Sequence, residues 1–265
     1  MRMRNLTFRI MKRLGLLKLK PVIFVHLQKT AGTSIIKEVR QYYGNNNVIS
    51  HGDFFLDHDG QRITNDKYAQ PEYIQNRFGG IPFLSGHFGY EFAKPFMDSR
   101  FSFTFLRNPV ERVLSAYYFY KTRNSDQFRH YSLAHQLPLD EFLALGFTDP
   151  DIKLHVLNYQ VSQLAVGWGG GVHFACNGDE LLAMAIKHLG EFSYVGFTET
   201  FEKDQEQILK YMGIAKPAVN IKSNANPGRP TFDSLPPSSK NLLLELTVLD
   251  RQLYEWAWVR HNSVR

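Results

Sequence analysis

The sequence predicts an α/β fold with a central, mostly parallel sheet flanked by helices, and three observations lead there. Apolar runs of strand length alternate with helical patterns. Two of those runs feed directly into helix starts of the kind that bind anions. No repeat, low-complexity tract or linker rich in Pro, Gly or Ser divides the chain. The expected organisation is a basic N-terminal segment over 1–20 followed by one domain over 21–265, with a helix-rich C-terminal half.

Strand-like runs occur at Val22–Val25, Ile81–Leu84, Phe101–Leu106 and Tyr194–Phe197, with a weaker one at Val48–Ile49. Between them, Ile35, Ile36, Val39 and Tyr43 share one helical face, as do Val113, Leu114, Tyr117 and Tyr118. Further on, Leu181, Leu182, Ala185, Ile186 and Leu189 form another stripe. Phe201, Gln205, Ile208 and Met212 form the next, with Gly213 placed to cap it. Leu242, Leu243, Leu246, Leu249, Leu253 and Trp256 predict one long terminal helix, while Glu38 and Arg40 read as solvated helix positions.

Composition narrows the function classes. With 43% apolar and 14% aromatic residues the chain has ample material for a core. The formal charge of +6 hints at nucleic acid, but seven Lys or Arg and no acid fall within residues 1–20, so the body is close to neutral and no nucleic-acid partner is expected. That basic stretch has no apolar run approaching the ~20 residues that span a bilayer. It reads as a solvated terminal segment or as a peripheral membrane contact. It also lacks the continuous apolar region of a signal peptide. The single cysteine, Cys176, excludes an internal disulfide and favours a reducing, cytoplasmic location.

The segment Pro21-Val-Ile-Phe-Val-His-Leu-Gln-Lys-Thr-Ala-Gly-Thr-Ser34 is a buried strand running through a tight loop into a helix, which is phosphate-binding architecture. It is not a nucleoside-triphosphate loop. Aligned on Gly32-Thr33-Ser34, the Walker lysine position holds Thr33 and the first glycine position holds Leu27, and the lysine sits at Lys29 instead. Phe101-Ser-Phe-Thr-Phe-Leu-Arg-Asn-Pro-Val-Glu-Arg-Val-Leu-Ser115 repeats the theme. Asn108 is the N-cap, Pro109 the first helical residue and Glu111 the capping-box partner. Arg107 falls at the strand's carboxyl end and Ser115 two helical turns on, a sensible phosphate clamp. Two cradles predict a bisphosphorylated nucleotide.

On these two segments the sequence resembles the sulfotransferases that use 3′-phosphoadenosine 5′-phosphosulfate (PAPS), and in particular the carbohydrate branch typified by heparan sulfate 2-O-sulfotransferase. The first has the form His-x-x-Lys-Thr-Ala/Gly-Gly-Thr-Ser and the second Arg-Asn-Pro-x-Glu-Arg-x-x-Ser-x-Tyr, matched at Arg107, Asn108, Pro109, Glu111, Arg112, Ser115 and Tyr117. The resemblance implies a single P-loop-like domain and PAPS as donor, with no metal required. It places Lys29, Thr30, Gly32, Thr33 and Ser34 on the 5′ side and Arg107 and Ser115 at the 3′-phosphate. Tyr194-Val-Gly-Phe-Thr-Glu-Thr-Phe-Glu202 looks like the family's Val-Gly-x-x-Glu strand-to-helix element. Val219-Asn-Ile-Lys-Ser-Asn224 looks like the loop over the nucleotide, making Lys222 and Ser223 cofactor contacts. The missing membrane anchor of Golgi enzymes points to a soluble, bacterial-type relative.

Sulfuryl transfer builds charge on the leaving oxygen, so Lys29 is the expected catalytic cation. A hydroxyl acceptor needs a base. The resemblance puts this role on the Gly-His segment at His87, with His51 in reserve. His26 is assigned to loop architecture, and Gly167-Trp-Gly-Gly-Gly171 to an acceptor-side loop or a turn. The competing expectations are a nucleotide kinase, against which Thr33 and the second clamp argue, and a non-catalytic membrane-surface or glycan-binding protein that keeps the fold.

Overall fold

A computed structural model of the chain describes residues 19–50, 71–167, 177–214 and 229–263. Its centre is a five-stranded sheet formed by β1 (Val22–Val25), β2 (Val48–Ile49), β3 (Phe83–Gly86), β4 (Phe101–Leu106) and β5 (Tyr194–Phe197). The strand order is β2-β3-β1-β4-β5 and each described pairing is parallel. Every residue of β1, β3 and β4 is buried, as expected for parallel strands covered on both faces. The third strand begins two residues later than the apolar run predicts, because Ile81 and Pro82 serve instead as a hydrogen-bonded lead-in: Arg100 Nη1 donates to Ile81 O at 2.6 Å.

Strand alternation divides the core into two layers. Val22, Phe24, Phe103 and Phe105 face α1 (Gly32–Tyr43) through Ile35 and Val39. On the same layer, after the strands and eight further helices, α10 (Phe201–Tyr211) adds Ile208 and Leu209. Phe24 and Phe103 stack there at 4.5 Å between centroids. Ile23, Val25 and Leu106 face the opposite way. They meet α3 (Tyr90–Met97), α8 (Tyr159–Ala165), α9 (Gly178–Leu189) and α12 (Val248–Ser263). The short α2 (Pro71–Phe78) precedes β3. A third apolar cluster joins α4 (Pro109–Tyr120), α6 (Leu139–Thr148), α7 (Pro150–Val156) and α11 (Pro237–Leu246), with α5 (Arg129–Gln136) alongside.

Two expectations need correction. The terminal apolar stripe is two helices rather than one, broken at Thr247 (φ −120°, ψ 20°). The break has a cause: Asn158 N takes the Leu246 carbonyl at 2.8 Å, and Asn158 Oδ1 accepts from Leu249 N at 2.9 Å, so a left-handed Asn158 is wedged into the junction. Glu38 is not solvated. It is buried on α1 and accepts from Gln205 Nε2 at 2.6 Å, and burial raises its pKa. Arg40 is half-buried and reaches Ser50 Oγ at 2.8 Å. No described helix is long and apolar enough to cross a membrane. Residues 1–18, which hold most of the basic segment, lie outside the described residues, as does Cys176.

Candidate active site

The connection leaving β1 leads toward β2 and the one leaving β4 leads toward β5, so the chain diverges between β1 and β4. In parallel α/β sheets ligands bind in the crevice at such a point, beyond the strands' carboxyl ends. Three adjacent strands, β3, β1 and β4, end there in His87, the 26–31 loop and Arg107.

The first loop is shaped by its backbone. Lys29 has φ 70° and Ala31 has φ 65°, while Thr30 between them is not in the left-handed region. Positive φ at Lys29 and Ala31 on either side of Thr30 is the backbone pattern of a nest, in which successive N–H groups can face one anion, and it leads into the start of α1. Thr30 is fully buried and its hydroxyl donates to Leu27 O at 2.7 Å, so its side chain holds the loop together from within. Gly32 is needed for close approach: a Cβ there would lie 2.3 Å from the His26 ring. Thr33 is exposed and Ser34 is buried.

Helix α4 braces this loop from the other side. Arg107 Nη1 donates to Lys29 O at 3.0 Å, and Arg112 Nε donates to Gln28 O at 3.3 Å. Lys29 Nζ lies 3.6 Å from the centroid of the Phe119 ring, and Arg123 lies over the same ring at 4.2 Å. Arg112, Ser115 and Phe119 follow helical spacing, so the half-buried Ser115 shares the face that looks onto the loop. Asn108 caps α4 by accepting from Glu111 N at 3.2 Å, and its own N–H donates to Glu199 Oε1 at 2.8 Å. The Val-Gly-x-x-Glu element thereby gains a physical reason. Gly196 makes room for the Phe105 ring, and Glu199 fixes the turn after Arg107.

The electrostatics are strongly one-sided. Burial first, and then the charges of Arg107, Arg112, Arg123 and Arg229, bring the Lys29 pKa down to about 7. Burial and Arg229 also lower that of Arg107. Arg112 is completely buried, with its guanidinium 3.6 Å over the Tyr159 ring. Its Nη2 has no hydrogen-bond partner among the described residues. A buried guanidinium nitrogen without an acceptor, beside a lysine that its neighbours repel, fits a ligand carrying several negative charges.

His87 joins the site from β3. Its Nδ1 lies 2.6 Å from His26 O, and a carbonyl only accepts, so the proton is on Nδ1 and the neutral ring's lone pair is on Nε2. Gln163 Nε2 donates to His87 O at 2.7 Å and to Phe88 O at 2.8 Å, tying this turn to α8. His26 is buried, 4.6 Å from the His87 ring centroid and stacked on Phe24, which is an architectural position. Gly89 and Gly167 touch backbone to backbone, so the glycine-rich loop starts beside the His87 turn. Its continuation through Gly171 lies outside the described residues, as do His51, Lys222 and Ser223.

Sequence reasoning missed four contributors. Arg112 was part of a quoted motif without a role, and its place among buried apolar neighbours on α4 was the available signal. Gln160, whose side chain pairs with Arg107 N at 3.0 Å and Arg107 O at 2.9 Å, had no such signal. Nor had Phe119 or Arg229, the last bound to the Glu111 carboxylate and, at 3.0 Å, to Glu111 O.

The family model described as the sulfotransferase family matches residues 18–152, just over half of the chain. No curated protein matches. Among solved structures, a sulfotransferase from Alicyclobacillus acidocaldarius aligns over 91% of this chain and 96% of its own, at 15% identity and a TM-score of 0.49.

Proposed function

This chain belongs to the sulfotransferase family, and we propose that it moves the sulfuryl group of PAPS to a hydroxyl of a carbohydrate or glycoconjugate acceptor. The observation that carries this reading is the convergence of Lys29, Arg107 and Arg112, whose Nη2 has no hydrogen-bond partner among the described residues, on one loop at the β1/β4 crevice. Bound there, PAPS supplies an activated sulfuryl group on a phosphate leaving group. The nest and the Thr33 and Ser34 side chains hold the 5′ side. Arg107 and Ser115 hold the 3′-phosphate, with Lys222 and Ser223 assigned to the same nucleotide. Lys29 provides a cation where charge builds on the leaving oxygen. His87 accepts the acceptor's proton at Nε2, held in orientation by the bond from Nδ1 to His26 O. The chemistry requires no metal at this site.

Incubation with sulfate-labelled PAPS and a panel of glycans and small alcohols tests the proposal. Transfer to a glycan without magnesium is expected. Magnesium-dependent consumption of ATP instead, or sulfation of small alcohols alone, overturns it in the donor or the acceptor respectively. His87→Ala should leave 3′,5′-bisphosphate affinity intact and lower turnover by about 10²–10⁴-fold, as loss of a general base does. Normal turnover would move the base elsewhere, with His51 next to be tested.

A further inference from the structure

Outside the crevice, one cluster has the donors and spacing of a cation site. Asp151 and His155 lie one helical turn apart on α7, and His130 comes from α5. His130 Nδ1 is 3.6 Å from Asp151 Oδ2, and His155 Nε2 is 3.7 Å from Asp151 Oδ1. One ligand atom from each residue falls within 4.8 Å of the other two. These separations exceed hydrogen-bond lengths. The two histidine–aspartate distances approach the roughly 3.3 Å between neighbouring ligand atoms that bonds of ~2.0–2.1 Å give around a tetrahedral ion.

Three further observations point to a bound cation. Asp151 Oδ2 is buried and has no hydrogen-bond partner among the described residues. The nearest guanidinium, Arg129, is already held in a fork by Asp149 at 2.7 and 2.6 Å and stands 3.9 Å from Asp151. Its charge is therefore largely spoken for by Asp149. His155 is oriented from behind: its Nδ1 lies 3.1 Å from Tyr120 Oη, and its backbone carbonyl accepts from Arg112 Nη1. In the tautomer that carries the proton on Nδ1 and donates it to Tyr120, the Nε2 lone pair faces Asp151, the outer-shell arrangement that orients a metal-ligating histidine.

We propose that His130 Nδ1, an Asp151 carboxylate oxygen and His155 Nε2 bind a Zn(II)-class divalent cation. Two imidazoles and one carboxylate suit zinc with one remaining position for water. The ion clamps α5 to α7, and through Tyr120 and Arg112 it fixes the helix that braces the Lys29 loop. Its part is structural, separate from sulfuryl transfer.

The test uses the full chain, stripped with a chelator and titrated with Co(II), whose tetrahedral complexes absorb visibly. One equivalent should give that absorption and be displaced by Zn(II). His130→Gln and Asp151→Asn, confirmed folded by circular dichroism, should each weaken Co(II) binding at least tenfold. Zn(II) should raise the melting temperature of the wild type and not of either variant. If the wild type gives no tetrahedral spectrum, or both variants keep it, the proposal is wrong.

Discussion

Lys29 sits in the crevice loop under the charges of four arginines. The Lys29 ammonium lies over the Phe119 ring face, with no carboxylate partner among the described residues, and burial with four arginines around it lowers its pKa to about 7. A lysine whose folded pKa lies below its unfolded value binds its proton less tightly when folded. Its charged form therefore costs stability below pH 7, and that cost is relieved as pH rises from about 7 toward the ordinary value of 10.5. An anionic ligand reverses the local field and pulls the proton back. Binding of 3′,5′-bisphosphate above pH 7 should thus take up a proton, seen by calorimetry in buffers of different ionisation enthalpy, and affinity should fall as pH rises. Lys29→Met should abolish the uptake and reduce turnover by about 10²–10³-fold, the usual effect of removing one transition-state charge contact, while still binding the nucleotide. Unchanged uptake would assign the proton to another group.

The loop and the caps decide how well such residues are held. Ala31 occupies the left-handed region at φ 65°, where a Cβ costs roughly 1–2 kcal/mol. Glycine would remove that cost but loses more chain entropy on folding. Ala31→Gly should therefore raise stability by about 0.5–1 kcal/mol in denaturant titration. A loss of stability would show that the alanine methyl packs usefully. At the far side of the sheet, the fully buried Asp250 accepts from Gln160 N at 3.1 Å and Val161 N at 2.8 Å, capping α8. Burial raises its pKa to about 6 against the ordinary 3.8. The folded state then holds this proton more tightly than the unfolded chain, so the contribution is full below about 3.8 and is lost as pH rises through about 6. Asp250→Asn should flatten stability across that window. Asp250→Ala, leaving two buried N–H groups unpaired, should cost about 1–3 kcal/mol for each. The strands were legible because parallel strands covered on both faces read as short runs rich in apolar and aromatic residues; Val22–Val25, Phe101–Leu106 and Tyr194–Phe197 have the bounds expected. The Thr247 break was not, because its cause is Asn158, remote in sequence and joined only through tertiary contact.

Across the whole molecule, charge is placed rather than merely counted. Beyond residue 20 the chain is nearly neutral, yet Lys29, Arg107, Arg112, Arg123 and Arg229 interact at one crevice. Four of these lay in or beside segments whose spacing already suggested anions. Arg229 follows no motif and comes from the far end of the chain, where only the fold shows that it meets Glu111 on α4. Its guanidinium ties down residue 229, immediately after the stretch that contains Lys222 and Ser223, and adds to the positive field at Lys29 and Arg107. Removing it should do two separable things. Arg229→Ala should weaken 3′,5′-bisphosphate binding by about tenfold, roughly one charge-assisted contact, and reduce the dependence of affinity on salt. Arg229→Lys keeps the charge but loses the fork to Glu111. If field strength governs, the lysine variant restores both affinity and salt dependence. If the tether governs, affinity stays low while salt dependence returns. A nucleotide affinity that neither substitution changes would confine Arg229 to holding the chain on α4.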